Sequence, residues 1–365
     1  MIKMIENQIK DEFFTKDELK FLETYLNSAS PTGNEKENQE RWATHVKSIS
    51  PKVKVHSDPY YNYWATVNFN QPKSVIIEAH ADEIAWSVNT ILSNGKLNVI
   101  RQGGSDVDIA PSQKVRVLGE KGEIPGFFSF AAIHVRDKEV KPKLHTLEVD
   151  CGFSSKEEAI EAGIENGTQI IFDQNCYVLN GKWLVGRALD NRIGGFMISK
   201  VLRMVIENEV KLDFNLIVAN CSQEEIGLFG ARRFAQNIIR DENIHAAIAT
   251  DVTHDTSETN YEKLKNGDAV CNGGPVLGTG PLIQKDLLKH IREVAKETDV
   301  KYQLNALDRS TGTDTDMFSL NGIPAALISL PLRNMHTTNE MISIEDMKST
   351  INLIYNSLVS MKWRN

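Results

Sequence analysis

Five apolar runs in this chain are each followed by residues able to bind a cation or move a proton. His80 and Asp82 follow "SVIIEA", Asp190 follows "WLVGRAL", and Glu224 and Glu225 follow "FNLIVANCSQ". Asp251 follows "HAAIAT", and His336 follows "PAALISLPLRNM". Each run is short and apolar enough to read as a buried strand. The polar residues are therefore expected just past the carboxyl ends of strands or at the start of the next helix, the edge where open α/β sheets bind ligands. So many carboxylates at one edge repel each other and raise each other's pKa unless cations are present. Two imidazoles with three or four carboxylates suit a pair of divalent ions such as Zn, Co or Mn, one carboxylate bridging them. The lack of cysteine in the set fits a catalytic site better than a structural one. Singly, each residue has a plainer reading: Asp190 as a helix N-cap, Asp251 as a turn cap, Glu224 and Glu225 as a solvated pair. The repeated placement carries the inference.

The elements that must position these groups alternate along the chain. Thr15 and Glu18 form a capping box ahead of Leu19, Leu22 and Leu26 at helical spacing, and Trp42, Val46 and Ile49 mark a second helix. Ile193, Met197, Val201 and Val205 line one face of a helix after "ALDNR". Met347, Ile351, Ile354 and Leu358 line a last one, capped by Ser343. With the strands between them, this predicts an α/β fold: a mixed sheet sandwiched by helices. From Ala85 to Asp173 helical periodicity fades and short Gly-punctuated strand signals take over. The expected organisation is a catalytic domain of residues 1–84 and 174–365, interrupted by a β-rich insertion of residues 85–173.

Composition narrows the class. The 365 residues are 41% hydrophobic and 25% charged, with a formal net charge of −8. That supports a sizeable core, and without clustered Lys and Arg it argues against nucleic acid as a partner. No run reaches the roughly 20 apolar residues that span a bilayer, and "MIKMIENQIKDEFF" lacks the apolar core of a secretory signal. The four cysteines are widely spaced with no CxxC pair, so neither a disulfide framework nor a thiolate zinc site is expected. The expected location is the cytoplasm.

Seven segments resemble one family: "EAHADEIAW", "GRALDNRIGG", "SQEEIGLFGA", "ATDVTHD", "GGPVLGTGP", "STGTDTD" and "NMHTTNE". In order, and across nearly the whole chain, they are similar to the co-catalytic metallo-aminopeptidases of the glutamyl aminopeptidase type, which include the tetrahedral (TET) peptidases. "QEEIGLFGA" and "ALDNR" are the most specific. The stretch with "PGFFSFAAIH" and "LHTLEVDCGFSSKEEAIEAGI" resembles the family's inserted domain.

The resemblance implies roles. Asp190 bridges two divalent ions, His80 and Asp251 complete one position, and Glu225 and His336 complete the other. Glu224 is the general base, and Asp82 stands behind His80 as its orienting partner. The implied reaction is hydrolysis of the first peptide bond of short peptides with a free amino terminus. The ions lower the pKa of a water toward about 7, and Glu224 takes its proton and passes it to the leaving amine. The resemblance also implies a homo-oligomer, a dodecameric shell assembled from dimers through the insertion. Three departures stand out: Asn191 where an acidic residue is common, Tyr63 where a small residue is expected, and Asp316 where a small residue is usual. Other readings of the same residues are a two-carboxylate glycosidase, a deacylase of small acylated amines, and a non-catalytic scaffold.

Overall fold

The computed structural model describes residues 4–136, 141–258 and 261–362. Helices α1 (Lys16–Asn27) and α2 (Lys36–Ile49) lead into β1 (Lys54–Ser57), β2 (Tyr63–Val67) and β3 (Ser74–His80). Next come β4 (Ala85–Ile91), β5 (Leu97–Gln102), β6 (Lys114–Gly119), β7 (Gly122–Phe128), β8 (Glu148–Asp150), α3 (Lys156–Glu161) and β9 (Gln169–Phe172). β10 (Tyr177–Leu179) and β11 (Trp183–Gly186) precede the long α4 (Leu189–Glu207), β12 (Asn215–Cys221), α5 (Phe229–Asp241) and β13 (Ile244–His254). The chain continues through α6 (Lys263–Asn266), β14 (Val276–Thr279), α7 (Lys285–Glu297), β15 (Gln303–Ala306) and α8 (Thr315–Leu320). It ends with β16 (Ala325–Arg333), β17 (Glu340–Ser343) and α9 (Ile344–Val359).

Eleven strands form one mixed sheet along the path β1-β2-β12-β3-β13-β16-β17-β11-β10, with β14 branching from β16 and carrying β15. The centre, β12, β3, β13 and β16, is parallel, and the flanks are antiparallel. Central parallel strands are covered on both faces, which is why "SVIIEAH" is buried at every position. On one face α1, α2, α4, α7 and α9 close a core that includes Leu22, Trp42, Phe196, Ile291 and Ile351. On the other, α5 and α8 pack Phe234 and Phe318 over Ile76 and Ile217. β4, β5, β8, β7, β6 and β9 close into a separate barrel. It has its own core, where Trp86 meets Phe128 edge to face with centroids 5.1 Å apart.

Local chemistry sets the element ends. The Thr15–Glu18 capping box forms as predicted: Glu18 N donates to Thr15 Oγ1 (3.2 Å) and Thr15 N to Glu18 Oε2 (2.8 Å). Ser343 Oγ caps α9 by accepting from Asp346 N at 3.3 Å. At the other end of α1, two buried guanidinium groups meet the last carbonyls. Arg192 donates to Tyr25 O (3.1 Å) and Leu26 O (2.6 Å), and Arg187 to Asn27 O and Ser28 O (3.0 Å each). Cations suit a helix carboxyl end, and Glu83 balances both, pairing with Arg187 and lying 3.5 Å from Arg192 Nη2. Burial works against ionised Glu83, but the two arginines outweigh it and lower its pKa. This cluster ties α1 to the start of α4 and to the β3–β4 link, where the chain leaves the sheet for the barrel.

Two positional expectations are corrected. Asp251 lies inside β13, opposite Ser329 of β16, rather than past the strand end. Parallel pairing with β16 carries β13 on to His254, beyond the run that the sequence pattern marks. Tyr63 is an ordinary strand residue opposite Ser57 and Asn220. The residue under backbone constraint is Tyr61, at φ +67°. The Asn62 beside it receives Ser222 N (2.9 Å) and donates to Gly230 O (3.1 Å), fixing the loop before α5.

Candidate functional site

The seven sequence-derived site residues converge at the carboxyl edge of the parallel strands. His80 is the last residue of β3 and faces Cys221, the last of β12. Asp190 opens α4, reached through Ala188 in the left-handed region (φ +53°). Glu224 and Glu225 lie in the turn between β12 and α5, entered through Gln223 at φ +54°. His336 follows β16, itself at φ +63°.

Asp190 stands between the two imidazoles and shows each a different oxygen. Its Oδ1 is 3.2 Å from His80 Nε2, and its Oδ2 is 3.1 Å from His336 Nε2. Around His80 Nε2, Asp251 Oδ1 and Glu224 Oε2 both lie at 3.7 Å. Around His336 Nε2, Glu225 Oε2 lies at 3.5 Å. Candidate donor atoms of His80, Asp190 and Glu225 fall within 4.8 Å of one another, as do those of His80, Glu224 and Asp251. By distance alone Glu224 is as close to His80 as Asp251 is, so geometry does not separate base from ligand.

The electrostatics describe a site short of positive charge. Burial pushes the carboxyls of Glu224 and Asp251 well above their usual range, and neighbouring carboxylates add to the rise. Burial raises Glu225 to about 7 and Glu340 to about 8, with the Asp190 carboxylate adding to both. For Asp190 burial is outweighed by His336 and His80, which lower its pKa. Burial disfavours the imidazolium of His80, but Glu224, Asp190 and Asp82 hold its pKa well above the ordinary value. Buried Glu225 Oε1 has no hydrogen-bond partner. A cluster of imidazole nitrogens and carboxylate oxygens with one oxygen orphaned is a donor set suited to hard or borderline divalent cations. The residues present fit such a group.

Asp82 does more than the sequence shows. Its two oxygens accept the amides of Glu224 (2.9 Å) and Glu225 (3.1 Å), while His80 Nδ1 sits at a longer 3.4 Å. One buried carboxylate thus fixes the turn that presents both glutamates. Glu340, quoted in "NMHTTNE" but given no role, is a second such support. It accepts Asp190 N (3.1 Å) through Oε2 and His336 N (2.8 Å) through Oε1. Behind His80 lies a group that sequence reasoning missed: Glu78, Cys221 and Asp314, all buried, with donor atoms within 4.8 Å. Burial raises Glu78 to about 8 and Asp314 well above its usual range. A narrow cleft beside Glu225 and His336 is also lined by Arg187, Thr337 and, from the barrel, Phe172.

The remaining departures have local explanations. Asn191 Nδ2 donates to Thr250 O at 2.8 Å, a bond that an ionised carboxylate cannot make. Asp316 is buried and spends its oxygens on its own loop, accepting from Thr311 N (2.8 Å), Thr311 Oγ1 (2.7 Å) and Gly312 N (3.2 Å).

The chain is similar to known proteins both in sequence and in fold. Residues 62–353 match the model of the M42 glutamyl aminopeptidase family. The chain is 34% identical over 314 residues to a lysyl aminopeptidase of Pyrococcus furiosus, an alignment covering 84% of this chain and 87% of that one. Its fold is similar to the TET aminopeptidase of a marine-sediment Thaumarchaeota archaeon, with TM-score 0.87 and 22% identity, over 94% of this chain and 96% of the other. It is also similar to the Pyrococcus horikoshii TET1 peptidase, described as assembling into a tetrahedron or a large octahedral shell. There the TM-score is 0.81 at 22% identity, covering 94% of this chain and all of the other, 100%.

Proposed function

The chain belongs to the M42 glutamyl aminopeptidase family, and from that premise we propose how its residues divide the work of a metal-dependent aminopeptidase. Asp190 would be shared by two divalent cations, Zn, Co or Mn, with His80 and Asp251 holding one and Glu225 and His336 the other. When bound, the pair supplies Lewis acidity that activates a water and polarises the scissile carbonyl. Glu224, the most open of these carboxylates at 11% side-chain exposure, accepts the proton of the attacking water. It then returns that proton to the departing amine. Asp82 keeps Glu224 and Glu225 pointing to different tasks by holding both amides. The surplus of carboxylate at the edge attracts the α-ammonium of a short peptide, which confines cleavage to its first residue. The observation that carries this reading is Asp190, whose two oxygens face the two imidazoles separately at 3.2 and 3.1 Å.

The experiment is chelation and reconstitution with elemental analysis. Removing the metal is expected to abolish hydrolysis of aminoacyl chromogenic substrates, and Co or Zn to restore it at two ions per chain. Full activity in verified metal-free protein would refute the mechanism.

The barrel is proposed to join subunits, dimers first and then a dodecameric shell that admits unfolded peptides. Phe127, Phe130, Ile133 and Val135 support this, being 44–81% exposed on the barrel and its following loop. The P. horikoshii TET1 peptidase is described as able to assemble into a tetrahedron or a large octahedral shell. Light scattering is expected to give a mass many times the 41.0 kDa chain, and a monomer at micromolar concentration rules the shell out. A cytoplasmic location is consistent with four cysteines that are all free.

A further inference from the structure

The barrel reaches the proposed metal centre through the two residues that follow β5. A Cβ placed on Gly104 meets His336 Nδ1 at 2.3 Å and His336 Cε1 at 2.6 Å. One placed on Gly103 meets Glu225 Cβ and the Glu225 carbonyl oxygen at 3.2 Å. The two glycines serve different ends. Gly103 has φ +71°, so its backbone alone favours glycine. Gly104 is outside the left-handed region, so what excludes a side chain there is the imidazole ring.

Hydrogen bonds anchor the chain on both sides of this contact. Gln102 Oε1 accepts from Gln169 Nε2 (2.8 Å), and the same nitrogen donates to Thr32 O (2.9 Å). Buried Ser105 donates its hydroxyl to Ala85 O at 2.7 Å. The glycine step is thus tied to β4, to β9 and to the loop before α2. His336 is held in turn by its backbone N–H, which donates to Glu340 Oε1 (2.8 Å), and by Nε2 facing Asp190 and Glu225.

We propose that Gly104 is a positioning residue: it forms the wall against which the His336 imidazole is set, so the barrel fixes the orientation of a ligand that belongs to the sheet. The inference rests on the reading of His336 and Glu225 as ligands of one cation. It makes the barrel part of the catalytic apparatus, in addition to any role in assembly.

The test uses full-length Gly104→Ala, His336→Ala and the double variant, each reconstituted with cobalt. Bound metal, affinity by competition with a chromogenic chelator, and the Co(II) absorption spectrum are read alongside the melting temperature. Gly104→Ala is expected to weaken one of the two ions by roughly tenfold or more, the scale seen when the outer support of a metal-bound histidine is lost. The spectrum of that position changes with it. In the His336→Ala background the glycine substitution adds no further loss, because the ring it would strike is gone. Wild-type affinity and spectrum in Gly104→Ala overturn the proposal. If Gly104→Ala does not fold, the double variant decides. A folded double variant with the metal content of His336→Ala assigns the clash to the imidazole, and an unfolded one overturns the proposal. If His336→Ala alone keeps both ions at wild-type affinity, the ligand reading fails and takes the inference with it. A normal Gly104→Ala beside a metal-depleted His336→Ala defeats the inference alone.

Discussion

The barrel and the carboxyl edge of the sheet treat charge in opposite ways. Among the described residues of the barrel the buried polar side chains are only Ser87 and Ser105, set in a core of Trp86, Phe128, Phe172 and aliphatic residues. At the edge, Glu78, Asp82, Asp190, Asp251, Asp314 and Glu340 are all buried around two imidazoles. Apolar burial contributes about 25 cal/mol per Å², so the barrel core stabilises itself. Buried like charges cost free energy unless paired, so the edge depends on its helices, its backbone amides and added cations. The contrast sets an apolar barrel core beside a charged sheet edge, the two joined at the β3–β4 link and at Gly103–Gly104.

The largest expected effect lies at the edge and separates two neighbouring glutamates. Glu224→Gln keeps the shape of the side chain but removes its capacity to accept a proton. It is expected to cut turnover by roughly a hundredfold or more while bound metal stays at the wild-type level. If Glu225 is a ligand as proposed, Glu225→Gln swaps an anionic donor for a neutral one and is expected to empty one position, with partial rescue by excess metal. Turnover and elemental analysis on the same samples check both. Equal metal loss in the two variants would contradict the division of roles, and full turnover in both would mean that neither touches the reaction.

That pair was legible in the sequence because its signal is local: an apolar run of strand length, a short link, then two acids. The same holds for His80, Asp190 and His336, each read from a strand and the residues just beyond it. The family likeness of "QEEIGLFGA" and "ALDNR" then supplied roles that spacing could not. What stayed hidden depends on contacts between distant segments or on backbone sign. Nothing near Asp82 announces that it binds the amides of Glu224 and Glu225, and nothing near Glu340 that it spans Asp190 and His336. Tyr61 and Tyr63 look alike in a string of aromatics until φ tells them apart. β14 and β15 are four residues each, too short for alternation to register; β14 forms against β16, and β15 against β14. The pattern around Asp251 puts it past a strand that in fact runs on, since pairing with β16 sets its length.

A smaller effect is expected in the barrel, and it tests whether the two cores are separate. Phe128 is fully buried against Trp86. Phe128→Ala is expected to cost about 3–5 kcal/mol of stability, as for other large-to-small aromatic changes in cores. Hydrogen exchange should show the loss in amides of residues 85–172, while β3 and α4 stay protected. Turnover per metal-loaded molecule should fall far less than in Glu224→Gln. If protection is lost evenly across sheet and barrel, the molecule is one cooperative unit and the contrast of two cores is wrong.

The smallest effect comes from the helical layer, where a titratable group is buried away from the edge. His45 of α2 stacks flat on Phe21 of α1, with centroids 3.7 Å apart and planes within 1°. Burial, reinforced by the Arg203 charge, pushes its pKa down to about 3, against about 6.5 in an unfolded chain. The folded ring therefore stays neutral while the unfolded one takes up a proton below pH 6.5. The unfolded state binds more protons, so stability falls as pH drops from about 6.5 toward 3 and is unaffected above that window. His45 is only partly buried, and screening reduces the expected loss at pH 5 to about 1 kcal/mol. His45→Phe retains the stack and removes the titration. Between pH 7.5 and pH 5 the variant is expected to lose about that much less stability than wild type in denaturant titrations. The edge carboxylates titrate equally in both proteins and cancel in the difference. An identical pH slope in the two would show that His45 protonates freely in the folded state, leaving the carboxyl edge as the region that makes this protein sensitive to acid.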